Sequence, residues 1–94
     1  MKMVPNTPDL KNFNETEIYL KLIFLRYGEK GKIMRIEGGR QMNQRLNDLG
    51  LTVGTIITIE REAPFGGPIQ IMVRGSSLAL GRGIASRIII QRLS

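Results

Sequence analysis

Carboxylates are the side chains in this sequence with the strongest claim to metal or acid–base chemistry. The 94 residues include eight Asp or Glu, no His and no Cys. Zinc fingers, iron–sulfur sites and His- or Cys-based catalysis need an imidazole or a thiolate, so those classes are excluded. Glu60 and Glu62 are two positions apart, a spacing that puts both on one face of a strand. Glu37 and Asp48 flank the segment between them and lie near its ends. Such oxygens suit hard cations, whereas a ferrous ion prefers a nitrogen ligand in the set. The carboxylates therefore read as a solvated face, with no cofactor, and with ferrous iron bound weakly or indirectly at most. Ser76, Ser77, Ser86 and Ser94 have no histidine base and read as turn or terminal residues. No enzyme is expected.

Gly38-Gly39 before Arg40 is a second candidate, because a helix N-terminus can cradle phosphate. None of the companion residues of a nucleotide-binding loop follows, so the pair reads as a strand-to-helix hinge.

The third feature is charge. Fourteen Lys or Arg against eight Asp or Glu leave a net charge of +6. A surplus of this size favours nucleic acid, an anionic membrane surface or an acidic protein face as partner. Met1 to Tyr27 carries four basic and three acidic residues, so the surplus belongs to the remainder of the chain. Arg40, Arg45, Arg61, Arg74, Arg82, Arg87 and Arg92 supply most of it. Single-strand binding pairs such arginines with exposed aromatics. Only Phe65, between Pro64 and Gly66-Gly67-Pro68, stands on a loop expected to be exposed. The sequence therefore predicts no stable nucleic-acid complex and favours a protein partner. The expected contact surface joins Met42 and Arg45 to Phe65, with Arg61 and Arg74 beside them.

The elements that position these residues follow from periodicity. Residues 1–17 are polar, contain Pro5 and Pro8, and read as a flexible N-terminal extension. A folded domain is expected over 18–94. Ile18 to Leu25 reads as a strand buried on both faces, or as a short strand followed by a turn. Lys32 to Glu37 reads as a strand with Ile33 and Arg35 on one face. Met42, Leu46 and Leu49 then recur at helical spacing and predict one buried stripe. Gly50 sits where a left-handed cap belongs, with Leu51 packing back on Leu46. Thr55 to Glu62 and Ile69 to Arg74 alternate as strands, with Ile57, Ile59, Ile69, Ile71 and Val73 inward. Ser77 to Leu80 and Ile88 to Leu93 complete the set, with one helical turn near Ile84 between them. Small sheets protect their edges by curling. The fold class expected is mainly β, a small SH3-like barrel of five to six strands with one short α-helix inserted after an early strand. An open barrel edge would admit a homodimer. No apolar run reaches the length of a membrane span and the first residues lack a signal peptide's core, so the chain reads as cytoplasmic.

Four stretches then resemble a known family. They are Gly28-Glu29-Lys30-Gly31-Lys32-Ile33, the segment from Arg45 to Thr55 with its Arg45-Leu46 and Leu49-Gly50-Leu51 core, Ala63-Pro64-Phe65-Gly66-Gly67-Pro68, and Val73 to Gly81. Their order and spacing resemble the FeoA family of small ferrous-iron transport proteins, over about Leu22 to Leu93. The resemblance implies an SH3-like barrel, a cytoplasmic accessory role in bacterial ferrous iron uptake, and a FeoB-type membrane permease with its GTP-binding domain as partner. The chain would be peripheral to the membrane through that partner. Family members are also associated with transition-metal binding or sensing. Here Gly81 to Arg87 lacks the acidic residues often found after this last turn.

Overall fold

A computed structural model describes residues 18–62 and 64–93. The extension expected over residues 1–17 lies outside the described residues. Among the described residues six strands are arranged in one sheet. They are β1 (Ile18–Lys21), β2 (Lys30–Ile36), β3 (Ile56–Arg61), β4 (Ile69–Val73), β5 (Ser76–Leu80) and β6 (Ile88–Arg92). Helix α1 (Gly39–Asp48) joins β2 to β3, and the short α2 (Arg82–Ala85) joins β5 to β6. Every pairing is antiparallel, in the order β1-β6-β2-β3-β4-β5. The fold is mainly β and SH3-like, as the alternation predicts. The ladder leaves β1 and β5 as its two edges.

One face of the sheet is the core. Ile33, Ile57, Ile59, Ile71, Ile88 and Ile90 are buried there, together with Leu22, Leu46 and Leu51. Each such side chain contributes roughly 1.5–3 kcal/mol of transfer free energy. The core carries the fold because the chain has no cysteine to staple it. Chain reversals use residues with the required backbone freedom. Arg74 (φ 51°) and Gly75 (φ 80°) make the two-residue turn between β4 and β5. Two left-handed residues in succession match the right-handed twist of a hairpin.

The first apolar run resolves into the shorter of its two readings. β1 ends at Lys21, and Leu22–Phe24 forms a 3-10 turn that buries Leu22 and exposes Phe24. In β2 the simple alternation fails. The register with β6 shifts between Ile33 and Arg35, so Ile33 is buried while Arg35 is exposed. A bulge of this kind turns successive residues away from strict alternation. Gly31 has a packing reason: an added Cβ would sit 3.0 Å from Ile90 Cδ1 and 3.1 Å from Leu25 Cδ1.

The helix closes as its sequence predicts. Leu51 N–H donates to the Leu46 carbonyl (2.8 Å) and Gly50 N–H to that of Asn47 (2.9 Å), with Gly50 at φ 85°. This is the paired 6→1 and 5→2 closure of a Schellman end. The same closure overturns the expectation for Leu49. The buried positions go to Leu46 and Leu51, whereas Leu49 is 45% exposed. Leu49 is the C-cap, where the chain has left helical geometry and its side chain no longer follows the stripe.

Candidate functional site

Glu29, Glu37, Glu60 and Glu62 are engaged by the fold itself, while Asp48 is exposed at the end of α1. Glu62 Oε2 accepts from Tyr27 N–H at 3.0 Å, and Glu60 Oε1 from Ser77 Oγ at 2.6 Å. Glu29 accepts from Arg26 N–H at 2.7 Å and lies 3.5 Å from the Arg92 guanidinium. Glu37 pairs with Arg35 at 2.6 Å. Glu60 and Glu62 thus turn to different partners instead of facing one ion. Among the described residues no three of His, Cys, Asp or Glu stand close enough together to hold a metal.

The arginines are in the opposite condition. Among the described residues the two ion pairs use Arg35 and Arg92. Arg26, Arg40, Arg45, Arg61, Arg74, Arg82 and Arg87 therefore have no described carboxylate within 4.0 Å. Among the described residues, a net positive surface with most of its acids occupied and most of its arginines outside ion pairs presents charge outward.

Phe65 sits in the 3-10 turn Pro64–Gly66 with φ 58° and ψ 30°, and its side chain is fully exposed. A bulky residue in the left-handed region costs roughly 1–2 kcal/mol. Neither its backbone nor its burial stabilises the free chain. Gly66 follows at φ 79°, and the position of a Cβ there is 3.9 Å from Arg82 Cδ. Arg61 closes β3 opposite Gln70, at the end of the hairpin that carries this loop. Met42 and Arg45 line a cavity of about 300 Å³ with Gly38, Gln41 and Ile84. Met42 fits there because Gly38 has no side chain: a Cβ would lie 2.6 Å from Met42 Cγ.

Helix α2 joins these two groups. Its Ile84 reaches Met42 and Arg45, while its Arg82 reaches the Phe65 loop. Arg61 and Phe65 stand where β3 ends and β4 begins, whereas Met42 and Arg45 follow the opposite end of the antiparallel β2, and α2 runs between the two groups. Arg74 lies in the turn at the far end of the β4 strand, about 13 Å along from Gln70 at ~3.3 Å per residue. The sequence reading missed Ile84 as a lining residue, and treated Arg82 only as one of several basic residues. The signal for α2 was a single turn between glycines, too short to be assigned a packing partner.

The aromatic reading needs a larger correction. Tyr19 (56%), Phe24 (65%) and Tyr27 (72%) are exposed as well as Phe65. Tyr19 lies on edge strand β1, while Phe24 and Tyr27 lie in the connection to β2, where short elements leave no second layer to cover them. Tyr27 and Arg61 line a groove of about 580 Å³ over β3 and β4, with Gln70 and Met72. Among the described residues no helix is long and apolar enough to cross a membrane.

Comparison with known proteins agrees with this architecture. A protein of Methanocaldococcus jannaschii, named as an Fe(2+) transport protein A, is 33% identical over 70 residues, covering 74% of this chain and 83% of that one. A crystal structure of an iron uptake regulatory protein, FeoA, superimposes with a TM-score of 0.73 at 36% identity, covering 81% of this chain and 99% of the other. The solution structure of FeoA from Chlorobium tepidum gives a TM-score of 0.73 at 31% identity, covering 80% and 71%. The family model of the FeoA domain matches residues 20–92, so the chain belongs to the FeoA family.

Proposed function

We propose that this chain is a non-enzymatic accessory protein of Fe(2+) transport. It acts in the cytoplasm by docking on the GTP-binding domain of a FeoB-type permease, and it is peripheral to the membrane through that partner. The observation that carries the reading is Phe65: fully exposed, held in a left-handed conformation, and flanked by the free arginines Arg61 and Arg82. An apolar anchor ringed by cations fits an apolar pocket with an acidic rim. Membership of the FeoA family, and the iron-transport name of the Methanocaldococcus jannaschii relative, support iron transport as the setting. A chain without His or Cys serves that setting better as a regulator than as an iron carrier. Docking would favour one conformation of the permease domain through differential contacts.

Titration against the purified GTP-binding domain, with GDP and with a non-hydrolysable GTP analogue, tests the reading. Saturable binding that Phe65→Ser weakens at least tenfold supports it. Absence of binding at about 100 µM in both nucleotide states contradicts it, since partners of even weak interfaces associate near that concentration.

A second reading has its own observation. Tyr27 lines a groove with Arg61, and Tyr19 and Phe24 are also exposed, a combination of aromatic and cation that can stack single-stranded bases. A salt-dependent mobility shift with single-stranded RNA would favour it, and no shift at low salt would remove it.

A further inference from the structure

Among the described residues, the edge strand β5 has no charge, proline or bulge to protect it. Its sequence Ser76-Ser77-Leu78-Ala79-Leu80 contains no charge and no proline. Its register with β4 runs without a bulge from Val73↔Ser76 to Ile69↔Leu80, unlike the β2–β6 and β3–β4 ladders. Exposed edges without lysine, proline or bulge are templates for a further strand. The two-residue turn fixes which groups are free. Val73 and Ser76 flank the turn and exchange both hydrogen bonds, so Ile71 with Leu78 and Ile69 with Leu80 do likewise. The N–H and C=O groups of Ser77 and Ala79 therefore point outward from the sheet.

Charge decides the occupant. Arg74 and Arg82 bracket β5 and have no described carboxylate within 4.0 Å. A second copy in the full-length antiparallel register pairs Ser77 with Ala79 of its neighbour. That register brings the turn with Arg74 near the start of α2 with Arg82 in the other copy at both ends, and like charges brought together are destabilising. A foreign strand with carboxylates at its ends meets the same arginines favourably.

We propose that β5 accepts an extended segment of another protein by strand addition, its middle uncharged and its two ends acidic. Main-chain bonds at Ser77 and Ala79 supply the affinity, and Arg74 and Arg82 select the acidic ends. This surface shares Arg82 with the Phe65 loop, but its main-chain bonds lie along β5, and it does not rest on docking through Phe65.

The test uses the full chain and a blocked nine-residue peptide, long enough to run from position 74 to position 82. The peptide has glutamate at both ends and alternating valine and threonine between them. The expected results are saturable binding, slowed amide exchange at Ser77 and Ala79, and at least tenfold weaker binding of the same peptide with lysine ends. Ala79→Pro removes only an outward N–H, which an edge strand tolerates, and is expected to abolish binding with the fold intact. Should that variant misfold, the double variant Arg74→Glu, Arg82→Glu is expected to reverse the preference toward lysine ends. Equal binding of both peptides overturns the proposal, as does unchanged exchange at Ser77 and Ala79 at saturating peptide. Self-association that protects those two amides without peptide also overturns it, by making a second copy the occupant.

Discussion

The backbone N–H of Tyr27 donates to the Glu62 carboxylate at 3.0 Å, across 35 residues of chain. This bond ties the turn before β2 to the segment that leads from Arg61 into the Phe65 loop. The same carboxylate lines a small cavity with Arg82, Ile23 and Ile69, so three elements converge on the base of the loop.

Glu62→Ala should therefore loosen the loop more than it destabilises the domain. A solvent-exposed bond of this type contributes about 0.5–1 kcal/mol. The expected change is a fall of roughly 2–8 °C in thermal midpoint. Amide exchange should quicken at Tyr27 while the rates within β3 and β4 stay unchanged. Comparable acceleration throughout the sheet would show that Glu62 supports the whole fold.

Leu46 and Leu49 separate core from surface on one short helix. Leu46→Ala should cost about 2–5 kcal/mol, because the side chain is wholly buried and leaves a cavity. Leu49→Ala should cost less than about 1 kcal/mol, since that side chain is half exposed. Urea unfolding of both variants checks the contrast, and equal losses would contradict the placement of Leu49.

That pair also shows what the sequence could and could not reveal. The inward residues of β3 and β4 were legible because uninterrupted alternation has one solution when one face is buried. The helix end was legible because Gly50 and Leu51 fit a single closure. Arg35 was misread, because a bulge leaves no mark in the hydrophobic pattern. Leu49 was misread because spacing continues past the residue where helical geometry stops. The exposure of Phe65 was legible from the proline and glycines of its loop. The place of α2 between Met42 and the Phe65 loop depends on tertiary packing between residues some forty positions apart. Tyr19 and Phe24 were invisible as surface residues because aromatic side chains in strand-like runs normally enter the core.

Gly38→Ala should disturb the Met42 and Arg45 surface directly. The added methyl would stand 2.6 Å from Met42 Cγ and 2.9 Å from its Cβ, close to the backbone, where the side chain has little room to yield. The expected cost is about 1–3 kcal/mol. Chemical shifts of Met42, Arg45 and Ile84 should move together, while those around Phe65 should not.

Phe65→Gly should stabilise the free domain or leave it unchanged. Glycine adopts φ 58° without the penalty that phenylalanine carries there. The expected gain is up to about 1 kcal/mol. A clear loss of stability in thermal unfolding would mean that Phe65 packs against the domain instead of waiting for a partner.

The central claim is docking through Phe65 and Arg45, on the two sides of helix α2. Calorimetric titration of the full chain into the FeoB-type GTP-binding domain tests it most directly, run in parallel for the parent chain, Phe65→Ser, Arg45→Glu and Arg74→Glu. The account predicts saturable binding in at least one nucleotide state, weakened tenfold or more by the first two substitutions. Arg74→Glu, at the far end of the hairpin, should change it less than threefold. Binding that ignores Phe65 and Arg45, or no binding in either nucleotide state, would contradict the account.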